Sequence, residues 1–126
     1  GEAGGMKKEK TKEQRINTEK RRLQGLYRDI PPKKKTAIDG LINRAAYMRA
    51  TLEDYEKDLD AGGYVEQFTQ SEKMEPYERE RPVARLYNTM NKNYQSIIRQ
   101  LTDLIPEEPP KQQDDGFDVF VRDRDD

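Results

Sequence analysis

The sequence predicts an all-α fold: an antiparallel helical hairpin preceded by a basic N-terminal helix, with either a short β-hairpin or a plain loop between the long helices, and copies closing into a ring-forming homo-oligomer. Three observations lead there. In AIDGLINRAAYMRATLEDYEKDL (37–59), Ile38, Leu41, Ala45, Met48, Leu52, Tyr55 and Leu59 follow one another at helical gaps of three and four. In PVARLYNTMNKNYQSIIRQLTDLI (82–105), Val83, Tyr87, Met90, Tyr94, Ile97, Leu101 and Leu104 do the same. The third is composition. Of 126 residues only 32% are hydrophobic and 39% are charged, against an ordinary charged share of about 25%. A monomer of this size builds a large core from so little apolar material with difficulty. Part of the chain is therefore expected to stay unpacked, and copies to pool their apolar faces.

Residues 1–5 read as a cloning remnant ahead of a natural start at Met6. The basic arm follows at 6–35. Within it KKEKTKEQRINTEKRRLQGLYRDI (7–30) is rich in helix formers, and Ile16, Leu23, Leu26 or Tyr27, and Ile30 share one face. A helix is expected at about 10–28, stopped by Pro31-Pro32, because proline cannot continue a helix.

The hairpin domain is expected at 36–106. Thr36 with Asp39 three residues later resembles a capping box, and Gly62-Gly63 is a C-terminal stop, which gives a first long helix at about 36–61. Pro82 opens the second, at about 82–105, and Pro106 ends it. Two rods of matched length, each with a seven-residue seam, fold back on one another; parallel coiled coils between chains are the competing arrangement. The flap at 62–81 is longer than most helix–helix connections. Its YVEQFTQ favours a strand and its SEK a turn back toward MEPY, so a short β-hairpin competes with a plain loop. Ile42, Ala46, Leu86, Ile98 and Ile105 lie beside the seam. A two-helix hairpin has no interior to hide them, so the first helix and neighbouring subunits are expected to cover these flanks, making them the oligomer interface.

The acidic tail, EEPPKQQDDGFDVFVRDRDD (107–126), argues against packed structure. Within it Phe117, Val119, Phe120 and Val121 read as a strand or a docking peptide, with incidental apolar residues in an unstructured tail as the alternative.

Charge is unevenly spread. Residues 1–35 hold 12 Lys/Arg against 5 Asp/Glu, residues 36–106 hold 9 against 12, and residues 107–126 hold 3 against 8. A basic head and an acidic tail imply two different partners. Lys7, Lys8, Lys10, Lys12, Arg15, Lys20, Arg21 and Arg22, with Lys33, Lys34 and Lys35 beyond the prolines, form a patch suited to phosphate backbones; a merely solvated basic helix is the alternative.

Enzymatic chemistry finds no foothold in the sequence. With no cysteine and no histidine there is no thiolate nucleophile, no zinc spacing and no imidazole base. Neither a phosphate-binding G-x-x-x-x-G-K-[ST] loop nor G-x-G-x-x-G is present. The carboxylates Glu53, Asp54, Glu56, Asp58 and Asp60 crowd one helix end as a solvated face. No catalytic residue, metal, cofactor or small-molecule substrate is expected. No apolar run approaches the about 20 residues of a membrane span, so no membrane association is expected.

The order of parts resembles the small terminase subunit of tailed bacteriophages. A lysine-rich start leads to LYRDIPPKKKTAIDGLINRAAYMRATLEDYEKDLDAGG, a charged flap follows, then RPVARLYNTMNKNYQSIIRQLTDLIP with its closing LTDLIP (101–106). The likeness spans residues 10–106. It implies a non-catalytic ring in the cytoplasm of the infected bacterial host, which binds double-stranded genomic DNA and hands it to the large terminase subunit, the ATPase and nuclease. On that model the hairpin forms the ring wall, the arm at 7–35 contacts DNA, and the tail engages the large subunit or closes a crown on the ring. One departure stands out: about 25 usable N-terminal residues cannot hold the helix-turn-helix domain that many members carry. Binding dominated by phosphates is then expected. A protein-only adaptor and a dimeric DNA-binding regulator are the alternatives.

Overall fold

The computed structural model describes residues 9–105. Three helices and one two-stranded sheet follow in the order α1 (Lys12–Gly25), α2 (Pro32–Gly62), β1 (Val65–Phe68), β2 (Tyr77–Glu80) and α3 (Pro82–Asp103). The antiparallel hairpin of long helices is present as the sequence predicts, and of the two alternatives for the flap the β-hairpin is the one that forms. The tail positions Phe117, Val119, Phe120 and Val121, and Lys7 and Lys8, lie outside the described residues.

The start of α1 is fixed locally. Thr11 Oγ1 accepts from the backbone N–H of Gln14 while Gln14 Oε1 accepts from that of Thr11, a reciprocal capping box. Helix α2 does not start at a Thr36 cap. Pro31 is its N-cap and Pro32 its first residue, so the proline pair that stops α1 also opens α2. Thr36 and Asp39 sit inside the helix. Its 31 residues make a rod of about 46 Å, against about 33 Å for α3 and about 21 Å for α1. The rods are therefore unequal: α2 is the spine, and α1 and α3 each lie antiparallel along part of it.

That arrangement decides which flanks are open. Ile42 and Ala46 are 0% exposed within the single chain, so they are no interface for another copy. Ile42 belongs to the core cluster with Leu23, Tyr27, Ile38, Ala45 and Leu101, where α1, α2 and α3 converge. Between Leu26 and Tyr27, the fold buries Tyr27, at 1% exposure. Its phenol donates to the backbone carbonyl of Leu101, 74 residues away, and burial raises its pKa. Helix α1 thus supplies the cover that a two-helix hairpin lacks. The other three flank residues differ: Ile98 is half-buried against the core, while Leu86 and Ile105 are exposed, with Leu86 at 54%.

On α3 only Ala84 and Leu101 are fully buried; Val83, Tyr87, Met90, Tyr94 and Ile97 are half-covered and Leu104 is exposed. The apolar stripe of α3 meets α2 along one border and solvent along the other.

At the far end, Gly63 terminates α2 with φ +80°, a conformation that favours glycine. Arg81 clamps this corner: Nη1 donates to the Gly63 carbonyl at 2.7 Å and Nη2 to Asp58 Oδ1 at 2.7 Å. The two strands pair antiparallel, with Phe68 opposite Tyr77 and Glu66 opposite Arg79. Arg79 lies over the Phe68 ring at 3.5 Å while its Nε donates to Glu66 at 2.7 Å, and Phe68 meets Tyr77 edge-on. Such stacking on one face supports a two-stranded ribbon that would be marginal alone.

Candidate nucleic-acid interface

Helix α1 has two faces of opposite purpose. Inward, Lys12, Arg15, Ile16, Glu19 and Leu23 recur at helical spacing and meet α2. Arg15 Nη1 donates to Glu53 at 2.9 Å and to the Ala50 carbonyl at 3.2 Å, and Nη2 donates to Asp54 at 2.7 Å. The hydrogen bond to Glu53 leads in raising the pKa of Arg15. Glu19, only 8% exposed, accepts a forked pair from Arg22 at 2.9 and 2.7 Å and a longer contact from Arg49 at 3.5 Å. The Arg22 hydrogen bond, ahead of the opposing effect of burial, holds the Glu19 carboxyl below its usual range. Arg49 also reaches Glu53 at 3.4 Å. Lys12 stands 4.5 Å over the Tyr47 ring and 4.0 Å from Asp54.

Three of the predicted phosphate contacts, Lys12, Arg15 and Arg22, are therefore matched by carboxylates of the same chain. Lys12 and Arg15 fasten α1 to α2, whereas Arg22 pairs within α1 with Glu19, which itself reaches Arg49 of α2. Sequence spacing does not reveal this for Arg15, whose partners lie 38 and 39 positions away; for Arg22 the i,i+3 relation to Glu19 is readable.

The outward face carries the remaining cations. Gln14, Asn17 and Arg21, successive helical turns apart, line a shallow trough with Thr18, with Lys10 and Thr11 just ahead of the helix and with one acidic residue, Glu9. Lys10 and Arg21 are exposed and Lys20 half-exposed, and no ion pair engages any of the three among the described residues. Amide and hydroxyl groups beside Lys and Arg are the side chains that contact phosphate and sugar oxygens. Gln14, Asn17 and Thr18 escape a reading that counts charges alone; their shared stripe with Lys10 and Arg21 is the signal that finds them.

The second cationic group sits at the opposite end of α1. Lys33, Lys34 and Lys35 occupy the first turn of α2, which holds no acidic residue, with exposed Arg28 on the turn before it. The backbone N–H groups of Lys34 and Lys35 both donate to the Pro31 carbonyl, at 3.0 and 3.1 Å. Cations at a helix N-terminus oppose the helix dipole by about 0.3–1 kcal/mol each. Their placement there is unfavourable for folding and favourable for an anion.

Among the described residues no cluster of three or more His, Cys, Asp or Glu can hold a metal ion, and no helix is long and apolar enough to cross a membrane. Compared with known proteins, the chain matches no family model, and no curated protein or solved structure matches it.

Proposed function

We propose that this chain is a non-catalytic DNA-packaging subunit of the small-terminase type: an oligomer that holds double-stranded DNA by its phosphates and passes it to a partner carrying the motor and nuclease. The observation that best supports this reading is one small unit combining a cationic, polar outer face on α1 with an α3 stripe left half-covered. The first suits a phosphate backbone; the second suits another copy. Weak single faces repeated around a ring add up to firm retention of one duplex.

The experiment is native mass measurement at low and high salt, with and without a DNA duplex, on the parent and on K20E/R21E. The expected result is a many-subunit particle that retains duplex, loses it steeply with salt, and loses it in the variant without dissociating. Each phosphate contact removed lowers the log–log salt slope by about 0.9. Sequence-selective, salt-indifferent binding would contradict the reading.

A protein-only adaptor is the second reading. It is favoured by the internal pairing of Lys12, Arg15 and Arg22, which thins the cations left for phosphates. A monomer that ignores DNA would select it.

A further inference from the structure

A cleft of about 200 Å³ opens where the turn between α1 and α2 meets the end of α3. Ile30, Pro31, Ile38 and Leu104 give it apolar walls, and Asp29 and Lys34 stand at its edges. It is smaller than the roughly 300–1,000 Å³ of small-molecule sites, so it accommodates one or two side chains of a peptide. Ile105, the last described residue, is exposed and follows directly on wall-lining Leu104. Whatever comes next in the chain starts at the rim.

What comes next has matching chemistry. Residues 107–126 carry 8 Asp/Glu against 3 Lys/Arg, with Phe117, Val119, Phe120 and Val121 set among Asp114, Asp115, Asp118 and Asp123. Counting the charged residues that line the cleft or adjoin a lining residue, Arg28, Lys33, Lys34 and Lys35 stand against Asp29, Asp39 and Asp103, and the cations gather on the turn and the first turn of α2. Twenty-one extended residues span up to about 70 Å, longer than α2, so reach sets no limit, and a tethered segment of this kind acts at an effective concentration in the millimolar range. Other exposed apolar groups are poorer hosts. Leu86 and Val65 lie at the far end of the molecule, and Val65 shares its strand face with Glu78 and Glu80, which repel an acidic peptide.

We propose that the chain's own acidic segment docks in this cleft, seating Phe117 or Phe120 between Ile30, Ile38 and Leu104 with its carboxylates on Lys33, Lys34 and Lys35. Docked there, it competes with a nucleic acid for those lysines. The competition rests on the function proposed above; the docking does not.

The absence of cysteine makes a clean test available. A nitroxide on Gly116→Cys in the full chain should broaden the signals of Ile30, Lys34, Ile38 and Leu104. When labelled chains are diluted with unlabelled ones, the effect should stay within the labelled chain, and K33E/K34E should abolish it. Neutralising the tail with E107Q/E108Q/D114N/D115N/D118N should tighten duplex affinity about tenfold at 0.1 M salt. No broadening, broadening at Lys10 and Arg21 instead, or broadening seen only between different chains overturns the docking. Broadening at the cleft with unchanged duplex affinity leaves the docking standing and overturns the competition for nucleic acid.

Discussion

Glu19 is the buried charge on the face of α1 that meets α2. It is buried, and both its oxygens accept from arginine, so replacement by glutamine removes a charge while leaving the guanidinium of Arg22 facing a weaker acceptor. Because Arg22 and Arg49 are about half exposed, solvent screens part of the loss. E19Q should cost about 1–2 kcal/mol by urea denaturation. The same carboxylate sets an acid limit. Its pKa is lower folded than unfolded, so its contribution is whole at neutral pH and is lost as pH falls below about 4.3 through the folded value. The acid-induced fall in stability should be shallower in E19Q. Thr51 presents the reverse case: its hydroxyl is buried in α2 with no hydrogen-bond partner among the described residues. Thr51→Val keeps the shape and discards the stranded polar atom, and should raise stability by about 1 kcal/mol.

At the scale of elements, α1 packs closely because α2 offers it small residues. Ala46 and Ala50 are both buried, and the Ala50 carbonyl lies within hydrogen-bonding distance of Arg15. Ala46→Leu should therefore cost about 1–3 kcal/mol and lower the thermal midpoint by several degrees. The long helices were legible in the sequence because seven apolar positions at gaps of three and four admit one periodicity. The ribbon was legible from its β-branched and aromatic run between two glycines and a proline. The beginning of α2 is not legible in the same way, because Pro31-Pro32 signals a stop for α1 and a start for α2 at once: proline ends one helix and suits the first turn of the next. Ile42 and Ala46 depart from the expected subunit interface for a different reason: spacing tells which face of a helix is apolar, not which neighbour covers it. The same applies to the candidate site. A count of lysines and arginines located the basic arm, but separating those that hold the fold from those that face outward required knowing that Glu53 and Asp54 lie beside Arg15.

For the whole molecule, the decisive surface is the open border of α3. Leu86 touches little within its own chain, so Leu86→Asp should change the unfolding free energy of an isolated chain by no more than about 0.5 kcal/mol. If copies associate through this border, the same variant should reduce the sedimenting mass to that of one chain, with helical content unchanged by circular dichroism. A variant that assembles like the parent would place the contact elsewhere, and one that unfolds would contradict the exposure of Leu86. The bond from Tyr27 to Leu101 carries a mechanical corollary. An arm joined only by a flexible turn swings under load, whereas here the turn itself is bolted, through Tyr27, to the last turn of the third helix. A pull directed along α1 is thus expected to reach the end of α3 through this one bond, coupling two helices that are far apart in sequence.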